Sequence, residues 1–410
     1  MSRLDELIAE LCPDGVEYTQ ILSVLTQPIT DGPHETPSLQ EQGIPFVSVE
    51  AIHDGIVDKS KCRGFISREY SSLCRKKYKP ESGDVYMVKS ASIGRVAIVG
   101  EDTGFDIWSP IAAMRPNKEI VEPKFLFYVL QTERVQKEVT KKASKSSQPN
   151  LSMRVLERFR IPVPPLEVQR EIVRVLDNFT FLSAELSAEL QARKKQYECY
   201  REKLMRFDNV PYVSIDILFP YIRNGFVGTV TKHFSDKETG VRYLEGTNIH
   251  NGVISDNEEL YVTKEFHNKH IKNELKADDI LMVQSGHIGD CAVVGEKYEG
   301  ANCHALIIMS NGGQCISKFY VHYFHTIEGV RHLKPAITDG NLKHVLAGKM
   351  SYVKVPFPPI EMQKHITMVL DHFEALCTDI SSGLPAEIRA RQKQYEYYRD
   401  KLLSFKEKDA

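Results

Sequence analysis

The chain has 410 residues, of which 42% are hydrophobic and 26% charged, as is typical of folded globular domains and not of a disordered chain. Its 53 Lys and Arg are balanced by 55 Asp and Glu, so the formal net charge is −2. This balance excludes a uniformly basic nucleic-acid binder, and any such site has to be a local patch. The apolar runs are shorter than the roughly 18 residues of a membrane helix, and the acidic first turn is unlike a secretory signal, so we expect a cytoplasmic protein.

Three blocks of sequence occur twice. Residues 83–101 return at 278–296, 161–179 at 355–373, and 193–207 at 391–405. Ten positions are identical in each comparison, out of 19, 19 and 15. A period near 195 residues is too long for a solenoid and indicates two copies of a domain with its linker. The N-terminal segment resembles the segment that follows the first linker, which predicts an almost cyclic arrangement of the two copies.

The predicted segments follow in chain order: an N-terminal helical segment 1–19, a globular domain 20–160, a helical linker 161–212, a second globular domain 213–354 and a C-terminal helical region 355–410. Short β-type runs in the globular regions are separated by Gly, Asp and Asn, and one helix is expected in each, over 123–139 and 317–329. The prediction is an α+β (mixed α/β) protein with a pseudo-two-fold internal repeat.

The linkers are predicted to be long helices. Apolar residues over 172–207 follow the three- and four-residue spacing of a coiled coil, and the preceding prolines let the helix begin near Leu166. The second linker repeats the pattern with four extra residues around 383–386. There Leu384 and Ile388 favour a continuous helix with a stutter, whereas Pro385 favours a break and a new helix. We expect the two helices to pair antiparallel, and the alternative is surface helices that pack only on their own domains.

Known catalytic motifs are missing from the sequence. It has no GxxxxGK[ST] phosphate loop, no GxGxxG at a strand-to-helix turn, no Asp/Asn-Pro-Pro-aromatic tetrapeptide of amino-methyltransferases and no GxSxG elbow. Ten of the 14 histidines lie between His233 and His344, but without the close Cys/His pairing of a structural zinc site, so surface or groove histidines are expected. We therefore predict a non-catalytic binding protein that holds no metal or cofactor.

Basic residues cluster in loops of both globular regions, where they can neutralise DNA phosphates. In the first repeated block the scaffold residues agree between the copies, whereas three polar positions differ: Lys89 against Gln284, Ser92 against His287, and Arg95 against Asp290. One scaffold with different hydrogen-bonding groups is what two readers of different base sequences need. The alternative is that these positions differ only because the sequences of exposed loops have drifted apart.

The blocks IPVPPLEVQ and VPFPPIEMQ, RKKQYECYREKL and RQKQYEYYRDKL, GDVYMVKSASIG and DDILMVQSGHIG, and the opening ELIAELCPDGVEY resemble the DNA specificity subunit of type I restriction–modification systems. The resemblance covers essentially the whole chain. It implies two target-recognition domains, each reading one half of a bipartite asymmetric site in double-stranded DNA, held apart by two antiparallel helices. It also implies assembly with two methyltransferase subunits and with restriction translocase subunits, to which S-adenosylmethionine, ATP and Mg²⁺ would bind.

The resemblance does not identify base-contacting residues, so the candidates are polar loop positions. They are Lys89, Ser90, Ser92, Arg95, Lys145, Ser146, Ser147, Gln148 and Asn150 in the first domain, and Gln284, Ser285, His287, Thr338 and Asn341 in the second. Residues expected to pair the helices or dock partners are Arg193, Gln196, Tyr197, Tyr200, Arg201, Arg391, Gln394, Tyr395, Tyr398 and Arg399. Two other readings stay open: an autonomous nuclease or methyltransferase with a cryptic site, and a protein-only coiled-coil adaptor.

Overall fold

The computed structural model describes residues 3–144, 149–339, 343–378 and 383–408. The chain forms two compact units: unit 1 is Met1–Leu186 with Ile388–Ala410, and unit 2 is Ser187–Glu387. Unit 1 therefore combines the first globular region with the C-terminal helix, as the cyclic order of the repeats predicts. The two ends of the chain meet there, because the Val16 N–H donates to the Lys406 carbonyl (2.8 Å) and the Lys408 N–H donates to the Val16 carbonyl (3.0 Å).

The helices of the first half are α1 (Arg3–Leu11), α2 (Arg68–Lys77), α3 (Pro123–Gln131), α4 (Glu133–Lys142), α5 (Met153–Glu157) and α6 (Leu166–Leu204). Its strands are β1 (Tyr18–Gln20), β2 (Thr30–Asp31), β3 (Ile44–Val47), β4 (Ile52–His53), β5 (Ile56–Val57), β6 (Gly64–Ile66), β7 (Val85–Val88), β8 (Val96–Ile98), β9 (Asp106–Ile107), β10 (Ile111–Met114) and β11 (Arg160–Pro162). The helix α6 runs from unit 1 into unit 2.

Unit 1 is built around a four-stranded antiparallel sheet in the order β2-β10-β7-β8. All residues of β7 and β10 are buried, which explains why both strands have uninterrupted apolar sequences. Alternate residues of β7, such as Val85 and Met87, pack with α3 and the start of α6, whereas Tyr86 and Val88 pack with a second sheet, β6-β3-β9. The pairs β1-β11 and β4-β5 complete the unit.

The strands of the second half are β12 (Tyr212–Ser214), β13 (Tyr221–Asn224), β14 (Val241–Leu244), β15 (Ile249–His250), β16 (Val253–Ile254), β17 (Leu260–Val262), β18 (Ile280–Val283), β19 (Cys291–Val293), β20 (Asn302–Cys303), β21 (Leu306–Ser310) and β22 (Lys354–Pro356). Its helices are α7 (Ile215–Leu218), α8 (Lys264–Lys269), α9 (Ser317–Phe324), α10 (Ile327–His332), α11 (Ile360–Thr378) and α12 (Leu384–Leu402). The sheets β13-β21-β18-β19, β17-β14-β20, β12-β22 and β15-β16 reproduce the four sheets of unit 1.

The single helix expected over 123–139 is wrong: α3 and α4 are separate. Thr132 between them has an extended backbone (φ −60°, ψ 146°), and its hydroxyl accepts from the Val135 N–H as an N-cap. The same break separates α9 from α10, where the Thr326 hydroxyl accepts from the Gly329 N–H (3.0 Å). A helix-capping threonine at the same place in both repeats was the signal that periodicity alone missed.

The long helices otherwise follow the prediction. The helix α6 begins at Leu166, as expected. In the second linker α11 ends at Thr378 and α12 begins at Leu384, so Pro385 lies in the first turn of a new helix and the stutter is not adopted. Residues 379–382 lie outside the described part of the chain.

Aromatic residues pair the helices in each unit. In unit 1 the Phe179 ring of α6 stacks on Tyr398 of α12, with the centroids 5.6 Å apart, and further along α6 Ser183 lines a pocket together with Gln392 of α12. In unit 2 the Tyr200 ring of α6 stacks on Phe373 of α11 (5.3 Å). The antiparallel pairing is therefore confirmed, and each stack joins a residue of one repeated block to a residue of the other.

In the described part of the chain, no helix combines the length and apolar character that a membrane span requires.

Candidate nucleic-acid interface

The predicted polar loops of unit 1 lie side by side. We define the unit 1 loop pair as residues 89–95, between β7 and β8, and the described residues 144 and 149–151, after α4. Ser90 and Asn150 form a β-bridge, and the Leu151 N–H donates to the Lys89 carbonyl (2.8 Å). The Asn150 N–H donates to the Ser144 hydroxyl (2.9 Å). The structure thus brings together Ser90, Ser92, Arg95 and Asn150, whereas Lys145, Ser146, Ser147 and Gln148 lie outside the described residues.

Unit 2 contains the same construction. Its loop pair is residues 284–290, between β18 and β19, and the described residues 338–339 and 343–345. Ser285 and His344 form the β-bridge, the Val345 N–H donates to the Gln284 carbonyl (2.9 Å), and the His344 N–H donates to the Thr338 hydroxyl (2.9 Å). Gln284, Ser285 and Thr338 are therefore neighbours, and Ser285 and His287 are exposed. Asn341 lies outside the described residues.

The two turns share an unusual backbone. Gly94 and Gly289 have φ of +91° and +90°, and Gly286 has φ of +84°. Ala91, at the position of Gly286, has φ of +64°, in the left-handed region that a residue with a Cβ rarely adopts. The Ala91 N–H donates to the Pro149 carbonyl (3.3 Å), so the facing loop helps to hold this conformation.

The Lys89 side chain points into unit 1, whereas Gln284 is half-exposed and bonds to an exposed residue of its own unit. The Lys89 side chain is 11% exposed and its Nζ lies 3.3 Å from Oδ2 of the buried Asp31. Gln284 Nε2 donates to Asn224 Oδ1 (2.5 Å). Asp31 and Asn224 occupy the same register position on β2 and β13. An ion pair in unit 1 is thus replaced by an amide pair in unit 2, and each pair lies at the base of a loop pair.

Arg95 and Asp290 differ in charge and in whether the charged group already has a bonding partner in its own unit. Arg95 is exposed, has no ion-pair or hydrogen-bond partner for its guanidinium among the described residues, and lines a groove with Gln131 and Gln136. Asp290 accepts from the Asn251 N–H (2.9 Å), and its Oδ1 also lies 3.0 Å from Nε2 of His325. Only the first of these two positions presents an uncommitted charged group.

The linker candidates fall into two groups. The first group packs inside the units. The Tyr197 hydroxyl lies 3.2 Å from His322 and the Tyr395 hydroxyl 3.4 Å from Gln131, while Tyr200 and Tyr398 form the stacks described above. Arg201 lies over the Tyr197 ring (5.1 Å), and Arg399 lies over the Tyr395 ring (5.6 Å). The second group is Arg193, Gln196, Arg391 and Gln394, which are exposed or half-exposed on the helices. Partner docking stays a prediction for this second group.

Nine of the ten histidines between His233 and His344 are exposed or half-buried, in agreement with the expected surface or groove location, and the tenth is His322. His322 is buried, its Nε2 lies 2.8 Å from Asp371 Oδ1, and its Nδ1 faces the Tyr197 hydroxyl. Because a carboxylate only accepts, Nε2 carries the proton and Nδ1 accepts from Tyr197. Burial lowers the pKa of His322, which favours this neutral form. In unit 1 the sixth residue of α3, Tyr128, donates to Asp177 in the same way (2.7 Å).

His322, Asp371 and Glu374 form a group that could hold a metal ion, since their ligand atoms lie within 4.8 Å of one another. However, Lys318 Nζ lies 2.8 Å from Glu374 Oε2, and His322 already donates to Asp371. A cation would have to displace the lysine and break the histidine bond. The arrangement instead fits a network that docks α9 on α11.

This duplicated α+β architecture is shared with restriction–modification proteins. A chain from a solved structure of the type I R-M system superimposes with a TM-score of 0.62 at 15% identity, covering 95% of this chain and 98% of that chain. A family model described as the type I restriction modification DNA specificity domain matches residues 34–193 and 219–390. The chain belongs to this family.

Two curated relatives are similar to parts of the chain. A type I restriction enzyme specificity subunit of Haemophilus influenzae is 31% identical over 272 residues, which cover 61% of this chain and 65% of the relative. One from Escherichia coli is 30% identical over 266 residues, which cover 60% of this chain and 63% of the relative. The match thus spans a little under two thirds of the length of each relative.

Proposed function

We propose that each unit reads one half of a bipartite, asymmetric DNA target through its loop pair. The observation that carries the proposal is the same two-loop backbone in both units with different side chains at matched positions: half-exposed Ser92 and exposed Arg95 in unit 1, against exposed His287 and half-exposed Asp290 in unit 2. DNA sequence is read by side chains that reach the edges of the bases. Two loop pairs with the same backbone and different side chains can therefore recognise two different half-sites.

The proposed contacts in unit 1 are Ser90, Ser92, Arg95 and Asn150, with Lys145, Ser146, Ser147 and Gln148 as further candidates; in unit 2 they are Ser285, His287 and Thr338, with Asn341 as a further candidate. We assign Lys89 and Gln284 to loop support, because their polar groups are occupied by Asp31 and Asn224.

In the same proposal the chain is a non-catalytic, cytoplasmic subunit that directs two methyltransferase subunits and the restriction translocase subunits to the target. S-adenosylmethionine, ATP and Mg²⁺ would be bound by those partners. The support is that the relatives carry the name of specificity subunit, and that the exposed groups of α6 recur on α12, with Arg193 and Gln196 matched by Arg391 and Gln394. A surface presented twice can bind two copies of one partner.

The test is to map methylated sites with the assembled complex carrying Arg95→Ala or, separately, His287→Ala. Each variant should relax base preference in one half-site only, by about 1–3 kcal/mol at the position that is read, because each side chain belongs to one unit. A change in both half-sites at once, or equal binding of the wild-type complex to every sequence, would contradict the proposal. The pure chain with DNA and Mg²⁺, or with DNA and S-adenosylmethionine, should give no cleavage or methylation.

A further inference from the structure

An arginine of unit 1 lies over the ring of the only tryptophan of the chain. The Arg63 guanidinium carbon is 4.0 Å from the centroid of the Trp108 ring. Arg63 directly precedes β6 and Trp108 directly follows β9, and both edge strands flank β3 at the same end of the sheet. The Arg63 N–H donates to the Phe46 carbonyl (3.0 Å) and the Trp108 N–H to the Val47 carbonyl (2.9 Å). Backbone bonds to the central strand therefore fix both members of the stack.

The stack is next to the unit 1 loop pair. Trp108 and Pro110 belong to the short link between β9 and β10, and the Pro110 carbonyl accepts from the Lys89 N–H (2.8 Å). One residue, Ser109, thus separates Trp108 from the residue that bonds the backbone of the first loop. A double-stranded ligand that covers the loop pair would also reach the stack, because a DNA major groove is about 12 Å wide.

Arg63 is exposed, and its guanidinium has no ion-pair or hydrogen-bond partner among the residues that the structure describes. Two other cations of this region have carboxylate partners: Lys59 pairs with Asp102, and Arg75 with Asp106 (3.0 Å). A guanidinium held on an aromatic face keeps its planar set of donors in one orientation, and it loses little side-chain entropy when it binds. Such a planar fork matches the O6 and N7 acceptors of guanine in the major groove.

We propose that Arg63, oriented by Trp108, is a specificity-determining residue that reads a guanine in the half-site of unit 1. The inference rests on the proposed function and adds a contact outside the loop pair. Unit 2 has no equivalent group: Glu259 precedes β17, where it accepts from Lys237 Nζ (2.7 Å), and His304 follows β20. The difference would make the two half-sites unequal at this position.

Because Trp108 is the only tryptophan, its fluorescence reports on this site in the full-length chain. The probes are a labelled duplex carrying the site methylated by the wild-type complex and a duplex of equal length with that site scrambled, both at low salt. The specific duplex should change Trp108 emission more than the scrambled duplex, with the same midpoint as the anisotropy of the label. If anisotropy shows binding while Trp108 emission is unchanged, this inference is overturned and the proposed function stays intact. If the assembled complex shows no sequence preference, the proposed function itself is overturned.

The second test maps the methylated sites of complexes carrying Arg63→Gln, Arg63→Lys or the control Arg170→Gln, which removes the same charge from an exposed position of α6. Arg63→Gln should lower the preference for one G·C pair in one half-site by roughly 5- to 150-fold. Arg63→Lys should lose most of the same preference, because an ammonium lacks the planar fork. Arg170→Gln should leave the site unchanged.

A uniform loss of affinity for all sequences, or full preference in Arg63→Lys, would overturn base reading by Arg63. The variant Trp108→Phe removes the indole but keeps a smaller aromatic face. It should keep the same target sequence with a weaker preference at that one pair. Unaltered preference in Trp108→Phe and in Arg63→Gln would show that the stack is only structural.

Discussion

Exchange of the Lys89–Asp31 ion pair for the amide pair of unit 2 should separate loop support from base reading. Lys89→Gln leaves Asp31, which is 1% exposed, with Lys77 Nζ at 2.5 Å and the His34 ring at 3.3 Å. Removal of one partner from a buried ion pair costs about 3–5 kcal/mol, and Lys77 offsets part of this cost. We expect unit 1 to lose about 1–3 kcal/mol, which for a unit of this size corresponds to a Tm lower by roughly 3–10 °C.

The double variant Lys89→Gln with Asp31→Asn should recover most of that loss. It recreates the pair that Gln284 and Asn224 form in unit 2, and it removes the uncompensated buried charge. Lys77, whose side chain is 50% exposed, can then turn to solvent. A double-mutant cycle should give a coupling of about 1–2 kcal/mol between the two positions.

Trp108 fluorescence during urea or thermal unfolding measures these changes for unit 1 alone, since the chain has no second tryptophan. The methylated sites of the assembled complex provide the second readout, taken at a temperature at which the variants are folded. A double variant less stable than Lys89→Gln would refute the matched-pair reasoning. A changed base in the unit 1 half-site of the double variant would show that Lys89 reads DNA after all.

Three further outcomes are expected. Burial lowers the pKa of His322, so this histidine takes up a proton at higher pH in the unfolded chain than in the folded one. Unit 2 should therefore lose stability as the pH falls below about 6.5, and His322→Tyr should reduce this loss. Hydrogen exchange of unit 2 peptides, corrected for intrinsic rates, measures the effect. Gln169→Leu should destabilise unit 1 by about 3 kcal/mol or more in urea unfolding. The reason is that the fully buried amide accepts from the Glu122 N–H and donates to the Ile120 and Pro164 carbonyls. Arg170→Leu, on the exposed face of the same helix, is the control and should have little effect. Thr132→Ala should cost unit 1 about 1 kcal/mol through loss of the α4 cap, and an unchanged midpoint would show that the cap contributes nothing.

Local patterns and internal repetition were enough to predict the duplicated organisation, the buried strands β7 and β18, and the start of α6. They were also enough to name polar positions within 89–95 and 145–150 as candidate loop residues. The proximity of those two loops was not visible, because it depends on a β-bridge between Ser90 and Asn150, 60 positions apart. The partner of Lys89 was hidden for the same reason, since Asp31 comes from an edge strand far away in sequence.

The repeat also gives a way to distinguish structural from functional differences between the units. At Lys89 and Gln284 the difference in charge is matched by Asp31 and Asn224, so each unit compensates its own change. Matched substitutions of this kind preserve packing and carry no information about a ligand.

The exposed cations of unit 1 differ from their counterparts without such compensation. Arg63 replaces an ion-paired Glu259 and Arg95 replaces a bonded Asp290, yet neither guanidinium has an ion-pair or hydrogen-bond partner within the described part of the chain. A guanidinium that makes no ion pair or hydrogen bond to its own unit can bond to DNA without breaking such a bond. Arg63 and Arg95 are therefore the positions at which we expect a difference between the two units to produce a difference between the two half-sites.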